Sequence, residues 1–288
     1  MKNSRFWFGF FVGPILIAFL MVVIIPAVLG IYYSFTDWNG IENNAPWVGL
    51  KNYIEIFSKD PDFLKAFLFT TKFALVSVVT INLMGFGLAL FVTRGMKMSN
   101  VLRSIFFMPN LIGGLILGFI WQFIFTKAFD AVGNKLGIEF LQGWLSTTET
   151  GFWGLVILMS WQLAGYMMVI YIAALQSIPE SLKEAAEIDG ASGLQKLFHI
   201  TVPLVAPAFT VGLFLTLSNS FKLFDQNLSL TNGGPYNSTQ MLALNIYKSA
   251  FVFNKMGLAQ AKAVIFLFTV AVITLTQLSY SKSREVEM

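Results

Sequence analysis

The sequence predicts an all-α, polytopic membrane protein with six transmembrane helices, and three observations carry that expectation. First, the 288 residues are 56% hydrophobic and only 12% charged, with a mean hydropathy of +0.69, which is not the composition of a water-soluble domain. Second, six apolar stretches reach the roughly 20 helical residues needed to cross a hydrocarbon core about 30 Å thick. Charge-free windows at 6–36, 73–93, 104–126, 150–179, 197–221 and 263–281 place the spans at about 7–33, 66–93, 104–126, 151–175, 204–224 and 260–281. Third, threading six spans in order puts all four arginines (Arg5, Arg94, Arg103, Arg284) on one side, joined by Lys2, Lys97, Lys183, Lys196 and Lys282. By the positive-inside rule that side is cytoplasmic, and it holds both termini. Lys51, Lys59, Lys127 and Lys135 fall opposite, in longer segments diluted by acids. The whole chain, 1–288, reads as one transmembrane domain.

The elements follow in order. Lys2 and Arg5 look like the start of a signal peptide, but the apolar run to Tyr33 has no A-x-A site and is about twice the usual length, so it reads as an uncleaved span. In the external segment 34–65, Trp38, Trp47 and Tyr53 suit the membrane interface, and Lys51–Phe57 reads as a short interfacial helix. Contact with an external protein is the alternative role. A tight cytoplasmic turn with Arg94, Lys97 and Arg103 leads to the third span, where Gly114 and Gly118 allow close helix packing. Gly85-Phe86-Gly87 has only the letters of a nucleotide fingerprint, since it lies inside an apolar span with no preceding strand.

The fourth span carries Trp161, Gln162 and Tyr166, and the fifth carries Ser218, Asn219 and Ser220. Such residues either bond a neighbouring helix or line a wet cavity. Clustering of Asn219, Ser220, Phe221, Lys222, Phe224, Asp225 and Gln226 toward the outer end of one helix favours the cavity. Aromatic faces beside amides and a carboxylate match the CH faces and hydroxyls of a sugar. Tyr166, Asn219, Phe221, Phe224 and Asp225 are therefore the candidates for a substrate path. The charge-free stretch 226–247 holds too many amides and turn residues for a span, and reads as an external loop with a tight Gly233-Gly234-Pro235 turn.

The segment 177–203 is polar between two apolar runs. Ser177 and Glu180 have capping-box spacing around Pro179, opening a helix with Ile178, Leu182, Ala185 and Ala186 inward. Asp189-Gly190 stops it. Ser192 and Gln195 open a second helix with Leu194, Leu197, Phe198 and Thr201 on one side, and Pro203 is expected to end it. Four acids (Glu180, Glu184, Glu187, Asp189) against Lys183 and Lys196 suit a protein surface better than an anionic lipid surface, which amphipathic helices usually meet with cations.

Glu184-Ala185-Ala186, Gly190, Ile200 and Val202-Pro203 resemble the EAA loop of membrane subunits in binding-protein-dependent ABC importers, with Val202 where that pattern has leucine. The wider EAA-x-IDGA and F-x-x-I-T-x-P-L runs are similar to the carbohydrate-permease branch of maltose, lactose-type and glycerol-phosphate importers. Phe221, Phe224-Asp225, Leu230-Thr231, Gly233-Gly234-Pro235, Thr239, Ile246-Tyr247 and Ala250-Phe251 extend the likeness, which with SFTDWNG near residue 37 covers most of the chain. The resemblance implies the ABC importer permease fold in a bacterial cytoplasmic membrane. It implies a loop that sits in a cleft of a cytoplasmic ATPase through Glu184, Ala185, Ala186, Asp189, Gly190, Phe198 and Pro203. The implied partners are a second permease subunit in a heterodimer, two cytoplasmic ATPases, an extracytoplasmic solute-binding protein, membrane lipid and a carbohydrate substrate.

Other chemistry finds no motif. Without cysteine, and with His199 the only histidine, thiolate and multi-histidine metal sites are excluded. No phosphate-binding G-x-x-x-x-G-K-[ST], G-x-S-x-G or H-E-x-x-H occurs, so no catalytic residue and no cofactor are expected. No basic stripe with interleaved aromatics points to nucleic acid. The competing class is an ion-coupled secondary carrier for a small polar solute, which would hold its ion near midplane; acids are missing from the core of every predicted span. A membrane scaffold without transport would leave the polar cluster and the Gly-Gly-Pro turn unexplained.

Overall fold

The computed structural model describes residues 2–42, 44–94 and 97–282, with side chains from residue 8 onward. Its six long apolar helices are Phe8–Tyr33, Pro61–Val92, Gly114–Leu136, Thr148–Ser177, Gly193–Phe221 and Met256–Lys282. Among the described residues the one extended pairing is an isolated bridge between Thr36 and Trp47. The chain divides into two compact units, one of residues up to 64 with Asn245–Thr269, the other of Lys65–Leu244 with the remainder from Val270.

In the first unit, the opening helix widens to a π-helical turn at Leu20–Ile24 and continues as Ile25–Tyr33. Pro26 has no N–H to donate, and the wider turn absorbs the missing bond. The Lys51–Lys59 helix forms where expected, and Asn52 Nδ2 ties it to the carbonyls of Ser34 and Thr36 at 2.9 and 2.8 Å. Asp60 accepts the N–H of Phe63 at 3.0 Å, so the second span opens at Pro61, ahead of the expected 66. Asp60 also receives Lys262 Nζ at 2.6 Å. Lys262 is buried and donates further to Asn245 (2.8 Å) and Ser249 (2.7 Å). A buried ammonium is tolerated only with such a full set of acceptors.

In the second unit the fourth span is central. It opens with a Thr147–Thr150 capping box, and 72% of its apolar window is buried. Leu155, Leu158, Met167 and Tyr171 belong to a core shared with Phe73, Leu117 and Phe125. Small residues set the spacing. A Cβ on Gly165 would overlap the Phe106 carbonyl, and one on Gly85 would approach the Ala164 carbonyl to 3.1 Å. Tyr171 donates to Asn82 Oδ1 at 2.5 Å, and Asn82 Nδ2 donates to Thr216 at 2.9 Å, linking the second, fourth and fifth spans by buried hydrogen bonds.

The third span departs from the expected single helix at 104–126. A separate helix Ser99–Phe107 carries Arg103, which is therefore not in a turn. A 3₁₀ turn at Met108–Leu111 and extended Ile112 and Gly113 follow, and the long helix begins at Gly114. Pro109 removes a helical donor, and Gly113-Gly114 weakens helix continuation.

Candidate functional site

Glu180–Ile188 is a short helix whose termination follows from glycine chemistry. Gly190 adopts φ +75°, its N–H reaches the Glu187 carbonyl at 3.1 Å, and the Ala191 N–H reaches Ala186 at 2.9 Å. Those two bonds satisfy the last carbonyls of the helix in a Schellman arrangement, which an L side chain at 190 would strain. Ser192 and Gln195 then form the expected reciprocal cap. Lys196 closes the hairpin by donating to Glu187 at 2.8 Å, and this hydrogen bond and charge hold the Glu187 carboxyl below its usual range.

Three details differ from the sequence reading. Ser177 does not cap the first helix: the fourth span runs through it, and its hydroxyl turns back to the Ala174 carbonyl at 2.8 Å. Glu180 instead pairs with Lys183 at 2.9 Å. Of the expected inward stripe, Ile178 and Ala186 are buried while Leu182 and Ala185 are exposed. Pro203 does not end the second helix. A π-helical turn at Leu197–Thr201 takes up the missing donor, and the helix continues to Phe221. The second loop helix is thus the N-terminal end of the fifth span, one continuous rod from Gly193.

Ile188 and Leu194 stand out from this hairpin at 86% and 69% exposed, and Phe198, 63% exposed, borders a groove against the second span. Glu184 and Asp189 are exposed beside them, and the Glu184 carboxylate has no hydrogen bond or ion pair among the described residues. Apolar side chains rimmed by carboxylates form a surface suited to another protein.

The second candidate region lies where the third span breaks, halfway along the fourth. Gln162 Nε2 donates to the Ile112 carbonyl at 3.3 Å, and its Oε1 accepts from Gln226 at 2.8 Å. The fifth span ends at Phe221, and a short helix Asp225–Leu230 follows. That helix folds back against the third span: a Cβ on Gly114 would lie 2.8 Å from Asp225 Cβ, and one on Gly118 would overlap Ser229 Oγ. Asn227 fastens the returning chain by donating to the Thr239 carbonyl (2.8 Å) and accepting from Met241 N–H (3.0 Å). The stretch 226–247 is not a span: it holds two short helices, Asp225–Leu230 and Leu242–Tyr247, on either side of the expected turn, with Gly233 at positive φ before Pro235. Non-helical and polar backbone is tolerated there because protein, not lipid, surrounds it.

Of the expected path residues, Asp225 starts this helix and is exposed, and Phe224 is half-buried at the break before it. Tyr166 is half-buried with its ring near Phe107. Asn219 is exposed and donates to the Leu215 carbonyl one turn back. Phe221 is buried. Sequence reasoning missed the Gln162–Gln226–Ile112 junction, although Pro109 and Gly113-Gly114 signalled the break. A mostly apolar cavity of about 420 Å³ adjoins it, with Trp161, Phe106, Pro109 and Ile112 in its wall.

Residues 81–282 match the model of the family described as binding-protein-dependent transport system inner membrane component. This chain belongs to that family. The permease is 54% identical over 292 residues to the probable starch degradation products transport system permease protein AmyD of Thermoanaerobacterium thermosulfurigenes, covering 100% of this chain and 99% of that one. It is 32% identical over 284 residues to the multiple sugar-binding transport system permease protein MsmF of Streptococcus mutans serotype c, covering 98% of each. Its fold is that of a solved chain from a bacterial ABC transporter involved in the import of the acidic polysaccharide alginate, with a TM-score of 0.86 at 21% identity, covering 98% of this chain and 96% of that one. The permease is a multi-pass membrane transport subunit with the ABC importer permease fold, and the ion-coupled carrier reading is set aside.

Proposed function

We propose that this permease is one of two membrane subunits of an ATP-driven importer that moves a carbohydrate inward across the bacterial cytoplasmic membrane. The observation that carries the reading is the hairpin at 180–201, a rigid exposed knob continuous with the fifth span. In this account a cytoplasmic ATPase cleft receives Ile188 and Leu194, Glu184 and Asp189 meet its rim, Ala185 and Ala186 allow close approach, Gly190 sets the bend, Phe198 anchors the second helix, and Pro203 lies where the rod enters the span. ATP binding to two such ATPases moves the rod, and the chain's working equilibrium shifts by the difference in their affinity for the two loop positions. ATP hydrolysis resides in those partners, and both termini lie on their side of the membrane.

The whole of 1–288 works as one permease domain. The second permease and lipid cover the first span, whose apolar window has no buried residue. An extracytoplasmic binding protein delivers the sugar to the outer segments. Asp225 leads the path toward Gln162 and Gln226, with Tyr166, Asn219 and Phe224 along it and Phe221 packing behind it. Products of starch degradation are the first class to test, because the 54% identical relative carries that name. The experiment is uptake of labelled maltodextrins into proteoliposomes holding the complete importer and its binding protein. Uptake that requires enclosed ATP and ignores a proton gradient supports the reading; uptake driven by the gradient alone refutes it.

A further inference from the structure

Two cavities of the second unit meet at Leu90, which lines both. One, of about 550 Å³, is polar and lies among the ends of the second and fourth spans, the start of the Ser99–Phe107 helix and the first turn of the hairpin. Thr93, Ser99, Arg103, Gln176, Glu180 and Lys183 face it. The other, of about 480 Å³, is an apolar groove along the second and fifth helices, with Leu83, Gly87, Phe198 and Phe209 in its wall.

The polar cleft has an unmet electrostatic demand. Arg103 is half-buried, and its Nε is buried with no hydrogen-bond acceptor among the described residues; an N–H of a cation left that way carries an uncompensated desolvation cost. The one carboxylate in the lining, Glu180, is already paired with Lys183 at 2.9 Å. Arg94 and Lys97, exposed on the adjoining segment, add positive charge. A guanidinium fork among hydroxyls matches a phosphate group, and basic pockets between membrane helices take anionic lipid headgroups. A free phosphate would leave the adjoining groove empty, whereas an amphiphile fills both.

We propose that the two cavities together hold one anionic diacyl phospholipid of the cytoplasmic leaflet, a placement that rests on the orientation proposed above. Its phosphate meets Arg103, and one acyl chain runs past Leu90 between Leu83 and Phe198. The headgroup then touches the first hairpin helix through Glu180 and Lys183, and the chain touches the second through Phe198. The lipid bridges the hairpin to the second span, so lipid composition sets how firmly the hairpin is held.

The test is native mass spectrometry of the complete importer complex, exchanged into equal phosphatidylglycerol and phosphatidylcholine. Wild type is expected to retain phosphatidylglycerol preferentially. Arg103→Gln lowers that retention about five-fold, the weight of one cation near an anionic headgroup, and Arg103→Lys restores part of it. Gly87→Leu, at a position where a Cβ meets nothing within 4 Å, fills the groove without touching Arg103 and lowers retention as well. Equal retention of the two lipids overturns the proposal, as does unchanged retention in either Arg103→Gln or Gly87→Leu. Displacement by millimolar inorganic phosphate overturns it in favour of a free-anion site, and a second permease subunit occupying the groove would show as no bound lipid at all.

Discussion

The first and fourth spans make opposite use of apolar sequence. The first is the most hydrophobic of the six and has no buried residue in its apolar window; the fourth is less hydrophobic and 72% buried. The order is the reverse of that in a water-soluble protein, because lipid solvates a leucine as well as a protein interior does and offers no hydrophobic reward for burying it. The fourth span is central because small and polar groups interrupt its apolar sequence and meet matching groups on its neighbours. Its Gly165, and Gly85 of the second span packed against it, remove the Cβ atoms that would hold neighbouring backbones apart, and Gln162 and Tyr171 supply bonds to three other segments. Hydropathy finds the spans; small residues and amides decide which of them hold the protein together.

Substitutions can break this comparison. The largest effect is expected for Gly165→Leu, which drives a side chain into the Phe106 backbone and costs about 3 kcal/mol or more, since backbone cannot move aside as a rotamer can. Val22→Ala in the first span, 74% exposed, should change stability by less than about 0.5 kcal/mol. Thermal unfolding of the two variants in the same detergent checks this, and equal losses would dismiss the contrast. Next is Gly118→Ala, whose methyl meets Ser229 Oγ: a loss of about 1–3 kcal/mol is expected, largely recovered when Ser229→Gly is added, so a double-mutant cycle should show strong coupling. Gln162→Leu leaves the Ile112 carbonyl and Gln226 without their partner and should cost about 1 kcal/mol, with a larger fractional loss of uptake than of stability.

The smallest effect concerns pH. The Glu187 carboxyl is held below its ordinary value of 4.5 by Lys196, so the pair's contribution is complete above that value and fades as the pH falls through the lowered folded one. Protection of the amides at 190–192, measured relative to their intrinsic exchange rate at each pH, should therefore fall only in acid, and Glu187→Gln should remove that dependence. The fully exposed setting keeps the effect slight.

Local chemistry was the legible part. Apolar length gave six spans, the Ser192–Gln195 cap and the Gly190 stop formed as read, and the family motif lay in a single stretch of chain. Long-range pairing was less legible. That Gly118 packs against Ser229, or that Gln162 bridges Ile112 and Gln226, depends on residues 50 to more than 100 positions apart, which no local pattern encodes. Proline misled in two directions. Pro203 was read as a stop, but a π-helical turn carried the helix past it; Pro109, inside a window read as one helix, broke it. The difference lies in the neighbours: Gly113-Gly114 follow Pro109, whereas Pro203 enters a run of good packing residues at the start of the fifth span.

The central claim is that the hairpin at 180–201 is the docking element for an ATPase, and its weakest joint is Gly190. Proline there cannot adopt φ +75° and removes the N–H that reaches Glu187. The direct measurement is co-purification, from detergent-solubilised membranes, of an ATPase with wild type and with Gly190→Pro at matched permease levels. The account predicts that the ATPase accompanies wild type and is lost from the variant. Equal retention by both, or no ATPase with wild type even after gentle crosslinking, would contradict it.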